Sequence, residues 1–271
     1  MTVSLMLVGC GKMGGALLAG WLDRGFTTDA ICVVDTDGPT AAAVRTRHGI
    51  TVHETPDTID AAFAPDVVVF AVKPQSMEEM WPTYRRHASA GAVFLSIAAG
   101  KTIAYFENRL GASSAVVRSM PNTPAAVRRG MTVACANPHV SDDGKRLCHY
   151  LLEAVGEVAW VDDEGHMDAV TAASGGGPAF VFLLTECLAE AAIEAGIPSD
   201  LAQHLARVTV SGAGELLRQS PETPAVLRQN VTSPGGTTAE SLKVLMAADG
   251  WQPLMTKAVA AATERSRELA G

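Results

Sequence analysis

The sequence has no CxxC pair. Its five cysteines, Cys10, Cys32, Cys135, Cys148 and Cys187, are odd in number and widely scattered, which argues against both a disulfide framework and a zinc site. No metal is expected, and a reducing compartment, the cytoplasm, fits this usage. Basic residues are in deficit, with Lys+Arg 21 against Asp+Glu 29, a net charge of -8 and a pI near 5.4. That balance argues against a partner chosen by bulk attraction to phosphate, whether nucleic acid or an anionic membrane surface. Residues 1–8 carry no basic flank and too short an apolar core for a signal peptide, and no stretch approaches the length of a membrane span. The longest dry run, residues 178–184, soon meets Glu186, Glu190 and Glu194, whose four-residue spacing predicts one wet face on an otherwise buried helix. Internal repeats and low-complexity linkers are also missing.

What is present is ample apolar material, 48% of 271 residues, enough for one large or two ordinary packed domains. Up to about residue 160, β-branched runs alternate with helical stretches. Residues 5–8, 31–34, 67–72, 93–97 and 115–117 read as strands, and residues 12–23 and 75–86 as helices between them. Dry runs such as 67–72 suit strands covered on both faces. The expected fold is therefore an α/β, Rossmann-like, doubly wound parallel sheet over residues 1–162. Beyond residue 162 strand-like runs largely vanish. Helices are expected to open at Pro178 and over 199–217, 237–248 and 253–269, giving an all-α substrate and dimerisation domain over 163–271. An all-helical unit this apolar is expected to bury part of its surface against a second copy.

The chemistry-bearing pattern nearest the N-terminus is Gly9-Cys10-Gly11-Lys12-Met13-Gly14, a G-x-G-x-x-G between a strand ending at Val8 and a helix. Gly9 permits the tight turn, Gly11 lets backbone approach a pyrophosphate, and Gly14 allows close helix–strand packing. The helix N-terminus offers free N–H groups to the phosphates. Asp35 stands about 20 residues further on, at the end of the second strand, where an acid accepts hydrogen bonds from the adenosine ribose. A phosphorylated ribose would be repelled there, and neither Thr36 nor Asp37 supplies an arginine, so NADH is favoured over NADPH. Ala71-Val72-Lys73-Pro74, Ala98-Ala99-Gly100 and Met120-Pro121-Asn122 also follow strand ends, the edge where open sheets bind ligands. In the helical half, Ser233-Pro234-Gly235-Gly236-Thr237-Thr238 precedes a helix, and its glycines leave backbone N–H groups open for a small carboxylate. Thr237 to Glu240 reads T-x-x-E, a capping box.

Taken together, these segments resemble pyrroline-5-carboxylate reductase, the last enzyme of proline synthesis. The most specific stretch is Asn230-Val231-Thr232-Ser233-Pro234-Gly235-Gly236-Thr237-Thr238, with further matches at residues 8–14, 70–74, 96–100, 120–125 and 168–180. The resemblance implies hydride transfer from NADH or NADPH to the imine carbon of 1-pyrroline-5-carboxylate. It implies that Thr238 hydrogen-bonds the substrate nitrogen, that Gly236 and Thr237 hold the carboxylate beside Ser233 and Gly235, that Glu164 lies near the ring and that Asn230 lies near the cofactor. It also implies a homodimer of interlocked C-terminal helices, or a higher oligomer of such dimers. A cyclic imine is basic enough to be protonated near neutrality, so no strong acid need be built into the site, in keeping with seven histidines scattered outside the glycine-rich segments. The chain departs from the family at Gly176, usually serine, at Phe180, usually tyrosine, at Arg228-Gln229, usually Lys-Asp, and at Asp35, where many members carry a small polar residue. A related reductase of another cyclic imine or of a 3-hydroxy acid, and a non-catalytic dinucleotide-binding regulator, are the alternatives.

Overall fold

The structure, a computed structural model, describes residues 3–77 and 81–270. Its contacts divide the chain into two compact units, Met1–Gly175 with Ala262–Gly271, and Gly176–Ala261.

In the first unit the strands are β1 (Leu5–Val8), β2 (Ile31–Val34), β3 (Val52–His53), β4 (Val67–Phe70), β5 (Val93–Ser96), β6 (Ala115–Met120), β7 (Gly130–Ala136) and β8 (Gly156–Trp160). They form one sheet in the order β3-β2-β1-β4-β5-β6-β7-β8. The helices between them are α1 (Lys12–Asp23), α2 (Gly38–His48), α3 (Trp81–Ser89), α4 (Ile103–Leu110) and α5 (Asp142–Leu152). The order reverses at β1, which pairs with both β2 and β4 in parallel. That reversal is the switch point at which such sheets open a crevice. Alternate residues along each strand enter opposite cores. Leu5, Leu7, Val67, Val69 and Leu95 pack with Leu17, Trp21 and Leu151, whereas Met6, Val8, Val68, Phe70 and Phe94 pack with Trp81, Tyr84 and Phe106.

Two expectations about this sheet are corrected. It is not wholly parallel, because β7 runs antiparallel to β6. Residues 121–129 between them are too few for a crossover, which takes a dozen or more, so the chain must turn back. Strands β3, β7 and β8 have no counterpart in the sequence reading, and β6 continues past residue 117 to Met120, which places Arg118 inside a buried strand. In place of one helix over 75–86 there is a short 3-10 turn at Pro74–Met77, then α3; residues 78–80 of the expected helix lie outside the described residues.

The composition changes at 162, yet compactness changes only after Gly175. The reason is burial: α6 (Met167–Val170) and the π-helical turn Thr171–Gly175 carry Met167 at 0% and Ala172 at 2% exposure, and Met167 belongs to the second core of the sheet. The last turns of the C-terminal helix belong to this unit as well, with Ser266 Oγ donating to Asp168 Oδ1 at 2.7 Å.

The second unit holds α7 (Gly177–Glu194), α8 (Ser199–Gln219), α9 (Pro224–Asn230), α10 (Thr237–Leu245) and the first part of α11 (Trp251–Ala270). The sequence reading did not foresee α9. Helices α7 and α8 pack through small residues, Ala189, Ala202 and Ala206, which are its buried side chains. The glutamates of α7 are exposed as expected, but the helix is not otherwise buried: Val181, Phe182, Leu183 and Leu188 all face outward. Leu205, Val208, Leu216, Trp251 and Leu254 are exposed too. The expectation that no stretch is long enough for a membrane is overturned, since the helical stretch Glu164–Glu194 is long and apolar enough to cross one by length and composition.

Candidate active site at the carboxyl edge of the sheet

The first group of expected site residues lies together at the carboxyl ends of β1, β2, β4 and β5. Gly9 has φ +88, and a Cβ there would sit 2.7 Å from Val72 Cγ1 and 2.8 Å from the carbonyl oxygen of Ala71. At Gly14 a Cβ would meet Gly9 O at 2.2 Å, so α1 can start only where glycine stands. At Gly11 the situation is opposite, with nothing within 4 Å. Gly11 is the N-cap of α1 and makes no side-chain capping bond, and no acidic residue occupies the first turn. Among the described residues, the N–H groups of that turn thus have no side-chain acceptor, and open space lies in front of them. A dinucleotide's pyrophosphate fits this arrangement: the tight contacts fall where a loop and helix must touch, and the gap falls where backbone must approach phosphate.

Asp35 follows β2 and is half-buried. Its carboxylate accepts from the backbone N–H of Cys10 at 2.6 Å and from that of Asp37 at 2.9 Å. The acid thereby ties the glycine-rich turn to the end of β2, a task the sequence did not reveal. Asp37 in turn caps α2 through Thr40 N at 3.0 Å and Thr40 Oγ1 at 2.6 Å. Those bonds, the side-chain one foremost, hold the Asp37 carboxyl below its usual range. Two carboxylates therefore stand just after β2. Cys10, in the turn itself, is no nucleophile: burial, reinforced by the Asp35 charge, pushes its thiol up to about 12.

Pro74, Ala99 and Gly100 come together in a cavity of about 490 Å3, whose other lining includes Lys101, Thr171 and Ser266. Lys73 is exposed, and Ala98 is buried with its N–H donated to Ser96 Oγ at 3.1 Å. At the end of β6, Asn122 Oδ1 accepts from Met131 N at 2.8 Å and its Nδ2 donates to Ser174 O at 3.3 Å. That bridge fastens the loop after β6 to the helical turns that follow residue 164. Glu164 is held from two sides, since its Oε1 accepts from Ile103 N and from Arg118 Nη1, both at 2.8 Å. Arg118 was missed in the sequence because the strand was ended at Val117; a lone charge just after a dry run was the available signal.

The other expected residues lie in the second unit. Gly235 has φ +69 and Gly236 N donates to Ser233 O at 3.0 Å, so Ser233-Pro234-Gly235-Gly236 forms the turn that a Pro-Gly pair favours. The expected capping box does not form. Gly236, not Thr237, is the N-cap of α10 and gives no side-chain bond, while Glu240 pairs with Lys243 at 2.6 Å. Among the described residues, the first N–H groups of α10 therefore keep no side-chain acceptor. Thr238 is half-buried on the first turn, and its hydroxyl makes no hydrogen bond among the described residues. Asn230 ends α9 and donates to Glu222 Oε2 at 2.9 Å.

Both halves have recognisable relatives. Residues 4–100 match the family described as NADP oxidoreductase, coenzyme F420-dependent, and residues 164–269 match pyrroline-5-carboxylate reductase dimerisation. The chain is 37% identical to the pyrroline-5-carboxylate reductase of Pseudomonas aeruginosa over 99% of its own length and 97% of the relative's. The chain belongs to the pyrroline-5-carboxylate reductase family. The solved pyrroline-5-carboxylate reductase of Coxiella burnetii superposes with a TM-score of 0.93 at 34% identity, covering 100% of both chains. That of Plasmodium falciparum, solved with NADP bound, gives 0.81 at 27% over 99% of this chain and 98% of that one.

Membership of this family accounts for features that neither unit explains alone. The exposed apolar faces of α7, α8 and α11 lie within the dimerisation match, and the chain is a homo-oligomer. The cofactor is a nicotinamide dinucleotide, in keeping with the glycine-rich turn, and the enzyme is an NAD(P)H-dependent oxidoreductase.

Proposed function

We propose that this chain reduces 1-pyrroline-5-carboxylate to L-proline, the last step of proline synthesis, with the work divided between the two open helix starts. When bound, a reduced nicotinamide dinucleotide supplies the hydride. Val8, Gly9, Cys10, Gly11, Lys12, Met13 and Gly14 hold its pyrophosphate, Asp35 its ribose, and Ala71 to Pro74 with Ala98, Ala99 and Gly100 line its path along the sheet edge. Asn230 lies near the cofactor.

The open N–H of Thr237 receives the substrate carboxylate beside Gly236, whose own N–H closes the turn on Ser233 O, with Ser233 and Gly235 shaping that turn. The Thr238 hydroxyl donates to the ring nitrogen and fixes the face of the imine carbon. Glu164, clamped by Arg118 and Ile103 N, is the carboxylate near the ring. No protein group needs to deliver a proton, because the imine is already protonated near neutrality. The chain's contribution is to align the reactants and exclude water, an effect worth several kcal/mol of barrier. The observation that carries this reading is the uncapped start of α10 at Gly236, with the unpaired hydroxyl of Thr238 one residue into the helix's first turn.

Three finer assignments belong with it. The two carboxylates at Asp35 and Asp37 disfavour a 2′-phosphate, so NADH is the preferred donor. The exposed apolar helices form a homodimer, or a higher oligomer of such dimers, rather than entering a bilayer; the enzyme works in the cytoplasm. Residues 163–271 act as one functional module for substrate and dimerisation, although residues 164–175 pack with the sheet. The test is to incubate the protein with 1-pyrroline-5-carboxylate and each reduced cofactor while following loss of reduced-nicotinamide absorbance. Turnover with formation of proline is expected, faster with NADH. Tight cofactor binding without turnover would favour a sensor and end this reading.

A further inference from the structure

We propose that Arg118 is a positioning residue for the reduction, a buried fork that sets Glu164 and the cavity wall in register; this rests on the reading of the reaction given above. Arg118 sits in β6 between Val117 and Ser119, and its side chain is only 5% exposed. A guanidinium so placed is costly unless it is paired and hydrogen-bonded. Here Nη1 reaches Glu164 Oε1 at 2.8 Å and Nη2 points toward Asp168 Oδ1 at 3.8 Å.

What those two carboxylates hold makes the pairing more than an anchor. The Glu164 oxygen also accepts from Ile103 N, the first residue of α4. That residue lies just beyond Ala98, Ala99 and Gly100, which are expected to line the nicotinamide's path. Asp168 accepts from Ser266, and Ser266, Thr171, Ala99 and Gly100 line the same cavity. One planar side chain thus connects β6, the start of α4, α6 and the last turns of α11. If stability alone were served, an apolar residue of similar volume would do as well. A lysine keeps the charge but is a point donor that cannot present two fixed N–H edges.

The experiment compares wild type, Arg118→Lys, Glu164→Gln and the double variant by steady-state kinetics on the imine and by fluorescence titration of the reduced cofactor. Arg118→Lys is expected to lower kcat/KM for the imine by about a hundredfold, the effect of a small misplacement of a reacting partner. Cofactor Kd is expected to stay within about twofold of wild type, and the double variant to be no worse than the worse single one. A merely structural arginine would lower the yield of folded enzyme, leave KM unchanged in what folds, and give additive losses with Glu164→Gln. Either wild-type kinetics in Arg118→Lys or additivity overturns the proposal. Should Arg118→Lys fail to fold, Asp168→Asn keeps an acceptor for Ser266 while weakening the fork. It is expected to cost about tenfold in kcat/KM at unchanged cofactor Kd, and wild-type values there overturn the proposal equally. A wild-type protein that leaves the imine unreduced would sink the reaction itself, an outcome distinct from an active wild type with an indifferent Arg118.

Discussion

Gly11 and Gly14 carry the same side chain in the same motif, but the structure separates their roles, and alanine at each should fail differently. At Gly14 an added methyl would lie 2.2 Å from Gly9 O and 3.1 Å from Ala71 Cβ, against 3.4 Å for ordinary contact. The obstacle is backbone, so α1 must move away from β1 by more than 1 Å or the turn must open. Overpacking of that kind costs roughly 1–3 kcal/mol. At roughly 2–4 °C per kcal/mol for a domain of this size, Gly14→Ala should melt roughly 2–12 °C lower. At Gly11 the methyl meets nothing within 4 Å and φ is -63, an ordinary value for alanine. The folded protein should lose at most about 1 kcal/mol of capping. Its penalty appears when the pyrophosphate must occupy the space the methyl now fills, so cofactor Kd should rise roughly 10- to 100-fold, or ~1.4–2.7 kcal/mol. Thermal melts at fixed protein concentration, needed because association adds to stability, combined with fluorescence titration of the reduced cofactor, separate the two variants. Wild-type affinity in Gly11→Ala, or wild-type stability in Gly14→Ala, would refute the argument.

Asp35→Ser should raise the NADPH-to-NADH ratio of kcat/KM by about tenfold as a repelling charge is removed. Efficiency should fall with both cofactors, because the bonds to Cys10 N and Asp37 N go too; an unchanged ratio would mean that this charge does not govern the choice. Thr238→Ala should lower turnover roughly ten- to a thousandfold while Thr238→Ser keeps most of it, and equal rates in all three enzymes would remove the hydroxyl from the reaction. Phe182, 60% exposed on α7, is expected inside the subunit interface; Phe182→Asp should sediment as a monomer and lose activity, and an intact oligomer would place the interface elsewhere. His87 is buried, and that burial, with the neighbouring Arg86 charge, lowers its pKa below the 6.5 of an ordinary imidazole. The unfolded chain therefore binds the extra proton, so the contribution is complete above pH 6.5 and is lost as pH falls through the window below it. Urea midpoints measured from pH 7.5 to 5 should decline less in His87→Gln than in wild type, and parallel profiles would contradict the assignment.

What could be read locally was read well. Helix α1 spans the residues that the apolar period and the glycine motif marked, because a helix start next to a tight turn is determined by neighbours in the chain. The glycines at 9, 14 and 235 announce positive φ or close approach for the same reason. The two segments proposed to bind phosphate and carboxylate were legible as glycine-rich stretches before helices. Features decided by residues far apart in the chain were not. Whether β7 runs parallel depends on where β6 leaves it, and its mostly small residues, with one valine, do not announce a strand. Arg118 looked like the end of a strand until Glu164 and Asp168, more than forty positions later, arrived to neutralise it in the interior. Thr237 satisfies the local rule for a cap, yet the turn that precedes it places Gly236 there instead and leaves the helix start open. The apolar face of α7 shows the limit from the other side: composition announces an apolar helix, and what covers its exposed side chains is decided by assembly, not by any window of sequence. Burial cost and hydrogen-bond satisfaction are sums over the folded neighbourhood, and no window of sequence contains that neighbourhood.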